Sequence, residues 1–373
     1  MKKVNVIALC VLGAMCSPVV YAFQLGGFDI KPIIALQEKF DDNISSASSN
    51  VKSDFITLLS LALEGIYETK VESLSIKGTV EQKIFAKEND FNTTSEFVNM
   101  KFKRELSQFD RLTMDNNFTH ADESTSFADE FGRTSGRYDY YKNFCTLGYE
   151  HDFTEQLTGK LKYSNEFYDP TIKTVSDSVL NRPGLELAYA FNSQTIASVF
   201  YDYSNRAFNP GGTVSIHSTA AGLRQYLNNQ IYVDLKAGAD FIKTIDDQDT
   251  IRPNYSAALT NEINETTKAG ISLSKSHTDS FSSSDLFDKW SVSLFLGKEL
   301  VRRLYLNAAA FTGGGSFATG SKEKFYGINL GLDFEISKDM KVNTGYTFIR
   351  RDSSVTGQDY DKNTVLLGLT INF

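Results

Sequence analysis

The sequence predicts an all-β protein: a transmembrane antiparallel up-and-down β-barrel of about 18 strands, with 16 the next count. Three observations predict it. First, the chain ends in an amphipathic strand, Thr364–Phe373, that stops on an aromatic. Val365, Leu367, Leu369, Ile371 and Phe373 share one face at a period of two. Thr364, Gly368, Thr370 and Asn372 share the other, with Leu366 the exception. Second, alternation of this kind recurs along nearly the whole chain. Third, short and long connections follow one another in turn, as in barrels with tight turns on one rim and long loops on the other.

The first residues read as an address. Met1-Lys2-Lys3 is basic, Val4–Val20 is mostly apolar, and Val20-Tyr21-Ala22 offers a small-residue cleavage site. Residues 1–22 are therefore expected to be a signal peptide and 23–373 the barrel. Asn5, Ser17 and Pro18 interrupt the apolar run, which is too short for a good permanent anchor. A lipid-anchor site needs a small residue before its cysteine, and Leu9 precedes Cys10 while Met15 precedes Cys16. Removing the leader leaves 351 of 373 residues and one cysteine, Cys145, so no intramolecular disulfide staples the fold.

Composition fits a barrel. No later stretch approaches the ~18 unbroken apolar residues of a membrane helix. A membrane barrel hides its apolar surface in every second residue, so a slightly polar average is no objection. The 18 Tyr and 28 Phe beside six Pro suit many strands with aromatic girdles. The leader takes Lys2 and Lys3 and no acid, so the net charge moves from −8 to −10 on its removal. That argues against a nucleic-acid partner.

Each element has its own signal. Val98, Met100 and Phe102 oppose Asn99, Lys101 and Lys103; Leu185, Leu187, Tyr189 and Phe191 oppose Gly184, Glu186, Ala188 and Ala190. Val233, Leu235, Ala237, Ala239 and Phe241 oppose Asp234, Lys236, Gly238 and Asp240; Ile328, Leu330, Leu332 and Phe334 oppose Asn329, Gly331, Asp333 and Glu335. A soluble sandwich also alternates, but here the polar face is rich in Gly and Ser as well as charge. Strands are expected to begin near Asp29, Asp54, Val71, Thr94, Arg111, Arg137, Leu157, Pro183, Thr195, Thr213, Tyr232, Asn254, Thr267, Trp290, Leu304, Lys324, Met340 and Lys362. Short turns are read at Phe109-Asp110, Thr154-Glu155, Asn192-Ser193, Asn228-Asn229, Asn264-Glu265 and Ser337-Lys338-Asp339. Long polar loops are read at Asp41–Lys52, Ala121–Gly136, Asp169–Arg182, Asn205–Gly212, Ile245–Ile251, Lys275–Asp285, Gly313–Ser321 and Arg351–Asp361. A propeller could show a similar repeat, but no blade signature is present.

No constellation carries catalysis, and no cofactor or metal is expected. His120, His151, His217 and His277 belong to separate hairpins. Ser215-Ile216-His217-Ser218 places its serines and histidine as strand neighbours on opposite faces or offset, not as a nucleophile–base pair. Gly313-Gly314-Gly315 lacks the Lys-Ser/Thr of a phosphate loop and reads as a flexible exterior loop. Asp246-Asp247-Gln248-Asp249 lacks the Gly and distal Glu of a calcium loop; a solvated loop is the plain reading, with weak binding of calcium or of lipopolysaccharide-bridging cations the sharper one.

What remains is the lumen. Lys101, Lys103, Glu105, Asp115, Lys160, Lys162, Glu166, Glu186, Asp202, Asp234, Lys236, Asp240, Glu262, Asp333, Glu335 and Arg351 fall on polar faces of predicted strands. They are the lumen-lining candidates, either as a salt-bridged hydrated wall or as rings that set selectivity. With no long apolar helix as a plug, any constriction must be a folded-in loop. Ala121–Gly136 is the candidate, with Asp122, Glu123, Asp129, Glu130, Arg133 and Arg137 in or beside it.

The first hairpin reads Phe40-Asp41-Asp42-Asn43-Ile44, then Lys52-Ser53-Asp54-Phe55-Ile56, then Leu59-Ser60-Leu61. This resembles the β-barrel porins associated with exopolysaccharide and capsule gene clusters, although Leu61-Ala62 stands where that family has Pro-Gly. The resemblance implies an outer-membrane barrel that helps a polysaccharide cross to the cell surface, with the polysaccharide and a periplasmic export protein as partners. Tyr138, Tyr140, Phe144 and Tyr168 would form a slide for sugar rings if they point inward, and a lipid-facing girdle if they do not. The sequence reading is thus an outer-membrane pore of a Gram-negative bacterium, surrounded by lipid and lipopolysaccharide, with Phe373 as its signal to the barrel-assembly machinery. Polysaccharide export leads; a general porin for small solutes and a structural barrel with a blocked lumen are the rivals.

Overall fold

The computed structural model describes residues 23–123, 136–173, 175–245, 249–264, 266–279, 286–317 and 320–373. The leader, Asp129, Glu130, Arg133 and residues 246–248 of the acidic loop lie outside the described residues.

A short strand β1 (Phe23–Leu25) precedes eighteen long ones: β2 (Phe28–Asp41), β3 (Asp54–Glu68), β4 (Glu72–Phe85), β5 (Thr93–Glu105), β6 (Asp110–Ala121), β7 (Tyr140–Asp152), β8 (Leu157–Pro170), β9 (Asp177–Ala190), β10 (Thr195–Asn209), β11 (Thr213–Tyr226), β12 (Ile231–Lys243), β13 (Asp249–Asn264), β14 (Thr267–Asp279), β15 (Leu286–Val301), β16 (Leu304–Phe317), β17 (Lys322–Glu335), β18 (Met340–Ser353) and β19 (Tyr360–Asn372). Each long strand pairs antiparallel with the next, and β19 pairs with β2, so the sheet closes on itself. Closure removes the unpaired edges that lipid would not tolerate. Eighteen strands spaced ~4.8 Å and tilted ~40° enclose a barrel roughly 35 Å across between backbones.

β1 is absent from the predicted list. It folds back on β2 through Gly26 and Gly27, at φ +59° and +87°. A Gly-Gly pair suits a two-residue hairpin turn because both positions need positive φ. The short-turn rim is otherwise built as its residues dictate. Asn192 Oδ1 accepts from the backbone N–H groups of Gln194 and Thr195 at 2.8 and 2.9 Å. Asn228 Oδ1 does the same for Gln230 and Ile231, both at 2.8 Å. These side chains satisfy the turn's backbone where no ladder can.

The two faces separate as alternation requires. On β17 Tyr326, Ile328, Leu330, Leu332 and Phe334 are exposed, while Glu323, Phe325 and Gly327 alternate with them and are buried. The exposed set recurs around the wall as Leu61, Val80, Leu161, Val199, Leu235, Ile271 and Leu367. In water such a belt would be untenable; in a bilayer it is the solvated surface. Leu366, the exception in the terminal strand, lies on the opposite face and packs against Ile44, Ile56, Leu58 and Phe85.

The long strands run 12–16 residues, beyond the ~9–11 that span a bilayer. The excess lies at the rim with the longer connections, and it corrects the sequence reading there. β9, β13 and β15 begin at Asp177, Asp249 and Leu286, well before the expected Pro183, Asn254 and Trp290. Several expected loops shrink accordingly, to residues 171–176 and 210–212 for example. Gly313-Gly314-Gly315 is no loop: the three pair with Phe325, Lys324 and Glu323 inside β16. A Cβ on Gly314 would sit 2.6 Å from the Glu323 carbonyl oxygen, and one on Gly315 2.6 Å from the Phe287 ring.

Buried side chains gather at this same outer rim, in four patches. Ile44, Ile56, Leu58 and Phe85 form one; Ala121, Tyr140, Tyr168 and Val175 a second. Phe208, Val214, Ile216, Ile242 and Leu286 form a third, and Phe287 with Phe325 a fourth.

Candidate functional site

The first hairpin is a lock. Asp41, Asn43, Ile44 and Asp54 are each at most 1 % exposed, so the tip that carries the family resemblance is not a surface for ligands. Asn43 donates to the carbonyl oxygens of Ala47 and Asp361, both at 2.9 Å. Asp42 accepts from the backbone and side-chain amides of Asn363, both at 2.7 Å. Asp54 accepts the backbone N–H groups of Phe55, Lys87 and Glu88 at 2.8, 2.9 and 2.8 Å. The motif thereby seals the β19–β2 seam and ties it to the β4–β5 connection.

The root of the β6–β7 connection crosses to this seam. Just past β6, Asp122 pairs with Lys83 on β4 at 2.7 Å and with Arg137. Glu123 reaches Lys362 on β19 at 2.7 Å, Lys39 on β2 at 3.4 Å and Arg137 at 2.6 Å. Arg137 also donates to the Ile44 carbonyl at 3.0 Å. β6 and β19 are five strand spacings apart in a ring of eighteen, so these contacts draw the described root residues, Asp122, Glu123 and Arg137, toward the seam. Burial pushes the Glu123 carboxyl up, but Lys362, Lys39, Arg137 and Lys83 together hold it well below the usual carboxylate range.

Tyr138, Tyr140 and Tyr168 lie beneath this segment and are buried, so they form neither an open sugar slide nor a lipid girdle. Tyr140 donates its hydroxyl to the Glu123 carbonyl at 3.1 Å, and the Tyr138 and Tyr168 hydroxyls are 3.3 Å apart. Phe144, four residues along β7 from Tyr140, is half-buried.

The sixteen candidate residues share the parity of the buried face and oppose the exposed apolar set. The structure brings most of them together in pairs. Lys103 meets Glu105 at 3.5 Å; Lys101 and Asp115 are register partners on β5 and β6. Lys160 lies 3.7 Å from Glu150 and 3.9 Å from Glu186. Glu166 takes Arg206 at 2.7 Å and Lys142 at 3.6 Å. Asp234 takes Arg224 at 2.6 Å, Glu262 takes Lys268 at 2.9 Å, and Asp333 takes Lys341 at 3.1 Å. Arg351 is fully buried against Glu323 and lies 5.3 Å over the Phe325 ring. Glu335 sits at the short-turn end of β17, register partner to Lys341. Lys162, Asp202 and Lys236 have no ion pair among the described residues.

Asp240 gathers Ser218 at 2.7 Å, Asn254, and His277 Nδ1 at 2.8 Å. Ser218 and His277 both bond the acid rather than each other, and His277 Nε2 faces Asp288 at 3.6 Å. His151 bonds Asp110 at 2.7 Å and His217 bonds Tyr201 at 2.8 Å, on other strands. The residues that sequence reasoning missed are the anchoring cations: Lys39, Lys83 and Lys362 each sit near a strand end, where alternation blends into loop polarity.

Comparisons with known proteins agree with this architecture. The family model described as "Putative beta-barrel porin 2" matches residues 248–373, the last third of the chain. No curated protein matches. Among solved structures, OpdK of Pseudomonas aeruginosa with vanillate is similar at a TM-score of 0.51 and 12 % identity, over 92 % of this chain and 99 % of that one. OccK2 (OpdF) of the same organism, in complex with glucuronate, is similar at 0.51 and 10 %, over 94 % and 99 %. Closed sheet, apolar belt and these likenesses together make the chain a Gram-negative outer-membrane β-barrel of eighteen strands with porin architecture.

Proposed function

We propose that the protein is a passive pore for small hydrophilic solutes, narrowed inside its outer half at the root of the β6–β7 connection, where Asp122, Glu123 and Arg137 are held. The observation that carries this reading is the ionic seating of Asp122, Glu123 and Arg137 on Lys83, Lys39 and Lys362. A loop root held inward by ion pairs in an otherwise wide barrel would limit solute size while leaving a wet path. Lumen-facing charges of both signs, mostly paired, would keep that path hydrated.

Polysaccharide export, implied by the first-hairpin resemblance, calls for a bore that stays wide to the outer rim. The anchored segment and the buried tyrosines beneath it favour small solutes instead. Liposome swelling with neutral sugars of increasing length tests the reading. Rapid entry of monosaccharides with exclusion of long oligosaccharides is expected. Equal entry of long and short sugars would return the export reading, and no swelling from folded barrels would favour the blocked one.

A further inference from the structure

We propose that a recess in the β8–β14 wall is a binding subsite for a small hydroxylated carboxylate, a solute of sugar-acid type. The proposal rests on the pore reading and names the solute class the pore favours.

Four lysine and arginine side chains line this recess; Lys275 on β14 is paired with Asp288 at 3.4 Å, which leaves Lys162 on β8, Arg182 on β9 and Lys236 on β12. None of these three has a carboxylate within ion-pair distance among the described residues. Arg182 donates to Ser204 Oγ at 3.5 Å, and the Lys236 ammonium lies 4.2 Å over the Phe200 ring. This departs from the habit of the wall, where Lys160, Arg224, Lys268 and Lys341 are each matched to an acid. Two carboxylates share the recess. Asp240 is already occupied by Ser218, Asn254 and His277. Asp202 leans over Gly184 and pairs with no cation. Unmatched cations thus outnumber the one unmatched acid, in a chain whose overall charge is −8.

The space comes from missing side chains. In one register row Lys236 is flanked by Gly222 and Ser256, then by Ser198 and Ser274. Phe200 turns over Gly222, where a Cβ would sit 2.8 Å from its ring. The resulting hollow is about 350 Å³ and open to the bore, a volume at the small end of ligand pockets. Its hydroxyl and amide groups at Ser204, Ser256, Ser274 and Asn254 suit a solute with several hydroxyls. Its guanidinium suits a carboxylate, which it can bind through two parallel N–H groups.

The test uses the refolded full barrel in planar bilayers, with galacturonate and its neutral counterpart galactose as probes. Potassium chloride conductance is read first. Absence of current from folded protein would overturn the pore reading and this one with it. Given current, galacturonate is expected to interrupt it at about tenfold lower concentration than galactose, the step set by one charge-assisted contact. Arg182→Gln and Lys236→Gln should each remove most of that difference, while Arg182→Lys keeps part of it. Heat-modifiable migration confirms that each variant is folded. Wild type alone gives a second reading: raising salt from about 0.1 M to about 1 M should weaken the galacturonate block and spare galactose. Equal block by the two sugars, or charge variants that block like wild type, would overturn the subsite and leave the pore standing.

Discussion

Glu123 Oε1 accepts a 2.7 Å hydrogen bond from Lys362 Nζ, across 239 residues of sequence and five strands of wall. The same ammonium lies 3.1 Å from Asp41, and Lys39 on the neighbouring strand bridges Asp41 and Glu123 at 3.5 and 3.4 Å. Two lysines at the seam where the barrel closes thus hold the root of the β6–β7 connection. On the proposed pore reading, closure and constriction depend on one set of charges.

Glu123→Gln should therefore widen the pore without unfolding it. The substitution removes the charge that Lys362, Lys39 and Arg137 share at the seam and leaves the Asp122 ion pairs to hold the loop root. Single-channel conductance should rise by roughly twofold, because a wide barrel's resistance is dominated by its narrowest part, and longer neutral sugars should begin to enter liposomes. Heat-modifiable migration should persist. Unchanged conductance would mean that the segment does not set the bore.

The same carboxylate gives a pH signature. Its pKa is depressed in the folded barrel, so its stabilisation is complete above the ordinary glutamate value of about 4.3 and is lost only as pH falls through the lower folded value. Conductance should be flat from neutral pH down to that ordinary value and rise below it. Glu123→Gln should be high and flat over the whole range. A wild-type rise already at pH 6, where Glu123 is fully ionised, would implicate a histidine instead.

Much of the fold was legible because lipid imposes a strict period of two. Ile328, Leu330, Leu332 and Phe334 are exposed to the belt as their alternation requires, and β3, β8, β10, β11, β14, β16 and β18 begin at the expected residue. Legibility stops where the bilayer does. Beyond it the outward face is wet, so the first turns of β9 and β13 carry polar residues on both faces and read as loop. Pro183 and Pro253 reinforce that misreading, yet both lie inside strands. The site shows the same limit. Asp122, Glu123 and Arg137 were visible as a charged loop root, but their partners Lys39, Lys83 and Lys362 are distant in sequence, and only closure of the ring brings them within reach.

The first hairpin supplies a stability test. Asp54 satisfies three backbone N–H groups at 2.8–2.9 Å from a fully buried position. Asp54→Ala leaves those donors without an acceptor, at a cost of about 1–3 kcal/mol for the first and more for the set. The temperature at which the barrel loses its compact gel migration should fall clearly, while galactose entry at room temperature stays near wild type. The reverse result, normal thermal resistance with lost permeation, would make the motif a solute site rather than a lock.

β16 offers a test of close packing against conformational freedom. A Cβ on Gly314 would lie 2.6 Å from the Glu323 carbonyl oxygen, a backbone atom held in the β16–β17 ladder and unable to swing aside. A Cβ on Gly331, one strand over, meets nothing nearer than 3.8 Å. Both glycines lie within strands, so a loss of chain entropy acts alike on the two, and alanine should if anything favour extended backbone at each. Gly331→Ala is therefore expected to refold at the wild-type yield. Gly314→Ala must push β16 from β17 or bulge the strand, and its refolding yield in detergent should fall severalfold, as overpacking of a close contact commonly costs about 1–3 kcal/mol. Equal yields would show that the glycine run is retained for some property other than the approach of these two strands.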